Sequence, residues 1–226
     1  AFYSKQEADQ TYIYEFQVPE ELSSQFDRIY YIKGYIKDSK TGQPLYSTID
    51  LVNSKTGERV SRFRSDPITG DYMSVLPGEG QYLVYVETPG YFFKSLKFDF
   101  REGNQELDIH LSKMEKETKE TLENIFFDTG SAQLRRESDI ELNKLTEMLL
   151  RNPGLSVEIS GHTDDVGNDK TNLDLSNRRA AAVVSYLKTK GISPERLVAK
   201  GHGESQPKVK NDSEANRQLN RGIEMK

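Results

Sequence analysis

Asp164 and Arg179 are the two side chains in this sequence whose types and spacing point to one shared chemistry. The carboxylate ends the stretch Gly161-His162-Thr163-Asp164, and the guanidinium follows Asn172 and Leu175-Ser176 in the pair Arg179-Ala180. Leu155, Val157 and Ile159 alternate ahead of the carboxylate, which places Asp164 in a loop at the end of a strand. A helix is expected from about Asn172 to Lys190, with Gly191 just beyond it, and it carries the guanidinium. Within that helix Arg178 and Arg179 point about 100° apart. Arg178 shares its face with Asp174, Ala182 and Ser185, which reads as solvent. Arg179 shares its face with Leu175 and Val183, the apolar stripe. An arginine on the packed side needs a partner, because an unpaired buried charge is costly, and Asp164 is a natural one. An acid and a base with no nucleophile beside them suit recognition of a zwitterion better than bond breaking. On pattern alone, a structural salt bridge tying the loop to the helix is the commoner alternative.

Other chemistries compete less well. His162, Asp164, Asp165 and His202 are metal-ligating types, so a metal-dependent hydrolase is one rival. The chain has three His, however, and none forms a His-x-x-x-His pair on a helix. Loop histidines beside glycine read as turn residues, and neither a metal nor a cofactor is expected. Ser160 and Ser176 lack a base and an orienting acid arranged for nucleophilic work. Gly201-His202-Gly203-Glu204 lacks the spacing of a phosphate-cradling loop, so no catalytic residue is assigned. A second rival is a purely structural interaction module whose active surface lies in the first half of the chain.

The elements that must position these residues fall into two kinds. A length of 226 residues fits one large or two ordinary domains. Twelve Tyr and ten Phe supply enough core material to argue against disorder throughout, even with 30% charged residues. A net charge of -5 argues against a nucleic-acid partner, which would select a basic stripe. With no Cys, the sequence excludes disulfides, thiolate-bound zinc and a lipid-bearing cysteine within these residues. No apolar run approaches the ~20 residues of a membrane-spanning helix. The start at Ala1-Phe2-Tyr3, without Met or a signal-like apolar core, reads as a processed protein or a fragment.

Residues 1–27 contain a strand-like run, Thr11 to Val18, and are hard to place; they read as an N-terminal segment, for which an upstream domain is one source. Residues 28–112 are short strands at roughly 8–12-residue spacing, broken by Gly and Pro turns, which predicts an all-β, Ig-like sandwich. Residues 113–121 are nearly all charged or polar and read as a linker or short solvated helix. From 122 onward the period changes. Ile125-Phe126-Phe127 is expected to be a strand, and Ser138-Asp139-Ile140-Glu141 a capping box that starts a helix with Leu142, Leu145, Met148 and Leu149 on one face. Asn152-Pro153-Gly154 ends that helix. Arg196 to Lys200, and then Ile223 with Met225, give further strands. Strands alternating with helices predict an α/β sandwich, a mixed sheet covered by helices.

Two resemblances add to this reading. Gly34 with Asp38, Thr41-Gly42-Gln43-Pro44-Leu45, Thr69-Gly70-Asp71-Tyr72, Leu76-Pro77, Gly80-Gln81-Tyr82 and Gly90-Tyr91 resemble the carboxypeptidase-regulatory-like β-sandwich family. That likeness implies a non-catalytic spacer or adhesion unit. Residues 122–226 resemble the OmpA C-terminal-like family, which includes the peptidoglycan-associated lipoproteins. Besides the pattern from Gly161 to Arg179, the likeness is carried by Phe127-Asp128, Ser131, Leu134, Asn152-Pro153, Gly191-Ile192, Arg196, Gly201, Gly203-Glu204, Pro207, Arg217, Asn220-Arg221 and Glu224. It implies non-covalent binding of peptidoglycan through the diaminopimelate of the stem peptide. Asp164 and Arg179 become the charged contacts, Phe127, Asp128, Thr129, Thr163, Asn172 and Leu175 line the pocket, and Arg221 supports it. One residue departs from the family pattern: Gly222 stands where a second arginine usually follows.

The chemistry fits this assignment. The free end of diaminopimelate bears an ammonium and a carboxylate on one carbon. A carboxylate can take the first, and a planar guanidinium can grip the second with two parallel hydrogen bonds. The order of the two units resembles multidomain envelope proteins of the Bacteroidetes type, including peripheral outer-membrane components of the type IX secretion machinery. It implies a periplasmic, outer-membrane-associated anchor with envelope protein partners.

Overall fold

The computed structural model of the chain describes residues 2–7, 10–15, 30–76, 78–100 and 105–226. Strands β1 (Phe2–Glu7) and β2 (Gln10–Glu15) pair antiparallel. The last three residues of the expected Thr11 to Val18 strand lie outside the described residues.

Eight strands follow: β3 (Tyr30–Asp38), β4 (Thr48–Asn53), β5 (Arg59–Arg64), β6 (Asp71–Leu76), β7 (Gly80–Glu87), β8 (Lys94–Phe100), β9 (Gln105–Glu106) and β10 (Ile109–Leu111). They form two sheets, one in the order β10-β3-β6 with β9 also on β3, the other β5-β4-β7-β8. Ile32 and Ile36 of β3 meet Ile49, Leu51, Val84, Val86 and Phe100 of the second sheet in one apolar cluster. In β7 the burial does not alternate, because Tyr82, Leu83, Val84, Tyr85 and Val86 are all buried. A continuous buried run means that both faces of the strand are covered. The second cover is the C-terminal half: Val52, Leu83, Tyr85, Phe92 and Phe93 belong to its core cluster.

That half contains β11 (Glu120–Leu122), α1 (Asp139–Arg151), β12 (Val157–His162), α2 (Asp169–Thr189), β13 (Leu197–Gly203), α3 (Glu214–Asn220) and β14 (Gly222–Met225). Its sheet runs β11-β14-β12-β13. β12 and β13 are parallel, joined across α2, while β14 runs antiparallel to β12 and β11. Leu142, Leu145 and Leu149 of α1 and Ala180, Val183 and Leu187 of α2 pack on Val157, Ile159, Ile223 and Met225. This is the mixed α/β arrangement expected from the alternating periods.

Three local expectations fail. The charged stretch 113–121 is not all linker, since Glu120 and Thr121 open β11 and pair with β14. Glu120 is buried there because Lys94 of β8 sits 2.7 Å from its carboxylate. Ile125-Phe126-Phe127 is not a strand, and only Phe127 makes an isolated bridge, to Leu134. The Ser138–Glu141 capping box does not form. Ser138 Oγ accepts from Phe126 N at 2.8 Å, and Glu141 is fully buried, accepting from Ser95 Oγ at 2.6 Å and Asn124 Nδ2 at 3.1 Å.

Candidate functional site

Close backbone packing places the site. A Cβ on Gly161 would lie 2.3 Å from Ser176 O, and one on Gly201 would lie 2.3 Å from Asn177 N. Only glycine lets α2 settle this closely on β12 and β13. The strand pair is extended past its end by Thr163 N donating to Gly203 O at 2.9 Å. The chain then turns through residues 164–168 into α2, whose first turn is capped by Asn168 accepting from Lys170 N at 3.0 Å. Asn172 fixes that turn. Its side-chain amide reaches Asp164 O at 3.3 Å, Val166 O at 3.2 Å and Glu204 Oε2 at 2.6 Å.

The turn forms one wall of an open cleft of about 710 Å³. Of the residues expected at the site, Phe127, Thr129, Thr163, Asp164, Asn172, Leu175, Arg179 and Arg221 all line it. Asp128 does not. Its carboxylate is exposed, 3.7 Å from Arg135 Nε, and only its carbonyl oxygen faces the site residues, as an acceptor from Arg179 Nη2 at 3.4 Å. Thr163 is buried, and its hydroxyl has no hydrogen-bond partner among the described residues.

The expected direct pair of Asp164 with Arg179 is absent. Asp164 is bonded instead by Arg221 Nη1, which donates to Oδ2, while Oδ1 accepts from Val166 N at 3.1 Å. Arg179 donates from Nε to Ser131 O at 2.9 Å and lies with its guanidinium carbon 5.0 Å from the centre of the Phe127 ring. No carboxylate of the described residues comes within 4.0 Å of it. Burial, and then the charge of Arg221, push its pKa below the ordinary arginine value. It remains a cation, because a guanidinium does not lose its proton in proteins. The opposite holds for Arg221, raised by its hydrogen bonds to Glu214 and then to Asp164. Arg178 is exposed and pairs with Asp174 at 2.8 Å, as its helical face predicts.

Sequence reasoning missed Glu214 and Gln218, which enter the cleft from α3. They lie about fifty residues from Asp164 in the chain, and no local pattern marks them. The histidines serve elsewhere. His162 and His202 stack face to face at 5.2 Å, and His162 Nε2 lies 3.4 Å from Glu224 Oε2 without hydrogen-bond geometry. Asp165 is engaged by Arg217 at 2.9 Å. Among the described residues, no three His, Asp or Glu are grouped to hold a metal.

Residues 126–221 match the OmpA family, so the C-terminal half carries an OmpA-like domain. The chain is 39% identical over 109 residues to the photosystem I P700 chlorophyll a apoprotein A2 of Gloeobacter violaceus, covering 46% of this chain and 12% of that protein. It is 38% identical over 98 residues to outer membrane porin F of Pseudomonas fluorescens, covering 43% and 30%. It is 35% identical over 83 residues to the peptidoglycan-associated lipoprotein of Rhizobium meliloti, covering 37% and 47%. The solved peptidoglycan-associated lipoprotein of Burkholderia pseudomallei aligns at 27% identity over 45% of this chain and 84% of that one, with a TM-score of 0.41. The chain spans less than half the length of each of these three relatives. Their names differ widely, so the likeness concerns a shared domain and not one whole-protein activity.

Proposed function

We propose that the OmpA-like domain binds peptidoglycan non-covalently through the free end of diaminopimelate, and so anchors this chain to the cell wall. One observation carries the reading: Arg179 faces the cleft as a cation with no carboxylate partner among the described residues, and the cleft wall also holds Asp164. A ligand carboxylate completes Arg179, and the ammonium on the same carbon meets Asp164. Likeness to a peptidoglycan-associated lipoprotein supports the ligand class. Nothing in this arrangement supplies a nucleophile with its base, so binding without turnover is the activity proposed.

Retention on diaminopimelate-type sacculi tests the assignment. Truncating one member of a desolvated charged contact typically costs about 2–5 kcal/mol, so Asp164→Ala and Arg179→Ala should each lose most retention. Unchanged retention of both variants would sink the reading. A stem peptide with lysine in place of diaminopimelate lacks the carboxylate for Arg179 and should bind more weakly. Equal affinity for the two peptides would leave peptidoglycan binding standing and remove the specificity.

For the whole chain we propose a periplasmic, outer-membrane-associated location, for which the porin relative is the support. The two sheets of residues 30–111 are proposed to be a carboxypeptidase-regulatory-like sandwich that serves as a spacer. The order of the two units resembles the C-terminal part of PorE, which favours a role in tethering a type IX secretion complex and its envelope partners to the wall.

A further inference from the structure

In the free protein the place for the ligand's cation is already taken. Asp164, with its side chain only 9% exposed, has one oxygen on Val166 N and the other on Arg221 Nη1. Arg221 is tied to a second place as well. Its Nη2 donates to Glu214 Oε1 at 2.7 Å and to Gln218 Oε1 at 2.5 Å, both on α3. Four charged side chains thus line the cleft: Asp164, Glu214, Arg179 and Arg221. Arg221 is shared between two carboxylates, and Arg179 has none among the described residues.

We infer that Arg221 is an internal substitute for the ligand's ammonium, which must displace it from Asp164 before the zwitterion can seat. The inference rests on the binding reading above. The anion place on Arg179 is open, so the ligand carboxylate lands first. The ammonium then takes Asp164, and Arg221 withdraws to Glu214 and Gln218, which already hold its other nitrogen. After the exchange every charge in the cleft has one partner of opposite sign. Gly222, next to Arg221 in the chain, also lines the cleft. The residue that departs from the family pattern is therefore the one beside the moving arm. A ligand with a carboxylate alone can occupy Arg179 without displacing Arg221. A ligand with an ammonium alone must displace Arg221 and leaves Arg179 unmatched. Only the zwitterion satisfies both places, which makes the exchange a selectivity filter.

Calorimetric titration of the intact chain with two stem tripeptides tests this. One peptide carries meso-diaminopimelate; the other carries 2-aminopimelate, which keeps the terminal carboxylate and lacks the terminal amine. Absence of binding by the wild type to the first peptide would defeat the underlying binding reading, separately from this inference. Given binding, Arg221→Gln leaves Asp164 unpaired in the free protein, a state that an ammonium relieves. Affinity for the diaminopimelate peptide should then rise roughly three- to tenfold. Affinity for the 2-aminopimelate peptide should not rise, and the thermal midpoint of the free protein should fall. Glu214→Gln alters a side chain that is 74% exposed and removes the place to which Arg221 withdraws. It should weaken the diaminopimelate peptide alone. Weaker binding of both peptides to Arg221→Gln would make Arg221 a direct ligand contact and overturn the exchange. So would an unchanged ratio of the two affinities in both variants.

Discussion

At the scale of single residues, the cleft distinguishes a cation that is used up from one that is held ready. Arg221 is engaged by Asp164, Glu214 and Gln218, whereas among the described residues Arg179 has carbonyl acceptors and the face of Phe127 but no carboxylate. Holding a guanidinium this way, half-buried and without a counter-charge, is costly unless a ligand supplies one. Arg179→Lys keeps the charge but loses the planar fork and its stacking. It should weaken binding of the diaminopimelate peptide by about tenfold or more, on the order of 1.5–3 kcal/mol for a hydrogen bond to a charged group. A titration giving wild-type affinity would show that a point charge suffices. The helical face of Arg179 was legible in the sequence, because spacing fixes direction on a helix. Its lack of a carboxylate was not, because Arg221, which takes Asp164, arrives from residues far along the chain.

At the scale of elements, glycine sets the distance between helix and sheet. Gly161→Ala brings a Cβ to 2.3 Å from the backbone oxygen of Ser176, which no side-chain rotation relieves. Overpacking of this kind costs typically about 1–3 kcal/mol, and the shift of α2 would also move Arg179 away from Asp164. Denaturant unfolding and peptide titration should therefore worsen together; loss of stability at full affinity would show that α2 moves rigidly with its loop. Helix α1 has a second task beyond covering its own sheet. Lys144 reaches across to Asp50 at 2.7 Å and Glu87 at 2.5 Å, and Arg151 reaches Glu87 at 2.7 Å. Lys144 is only 13% exposed. Lys144→Ala leaves these carboxylates under-compensated, at a cost toward the low end of about 3–5 kcal/mol, because Arg62 still holds Asp50 at 2.6 Å. Chemical denaturation that registers less than about 0.5 kcal/mol, as for an exposed pair, would remove Lys144 as the cross-link. Ser138 and Glu141 illustrate how a valid local signal is overruled. Their spacing suits a capping box, but tertiary partners claim both side chains.

At the scale of the whole molecule, the two halves share one apolar cluster, so unfolding of either exposes the other. Glu141 sits at that junction, completely buried beside Ser95, and burial pushes its carboxyl up to about 7 against the hydrogen bonds from Ser95 and Asn124. The folded pKa is raised above the ordinary 4.5, so the native state holds the proton longer than the unfolded chain does. The stability that this contributes is fully present below about 4.5 and is lost as pH rises through about 7. Unfolding of wild type against Glu141→Gln across that window should show an advantage for the glutamate at the acid end that disappears at the alkaline end. A difference independent of pH would mean that folding does not raise the pKa of Glu141.

The sequence by itself determined the two periods of the chain, the helix that carries Arg179 and the loop that carries Asp164. These depend on neighbours within a few residues, where backbone geometry leaves few choices. Tertiary structure alone decided which cation Asp164 receives, that charged Glu120 opens a strand, and that one sheet of the first half has its second face covered by the C-terminal half. Each of those outcomes depends on a contact between distant segments, and the burial that makes a charge need its partner exists only once the chain has closed on itself.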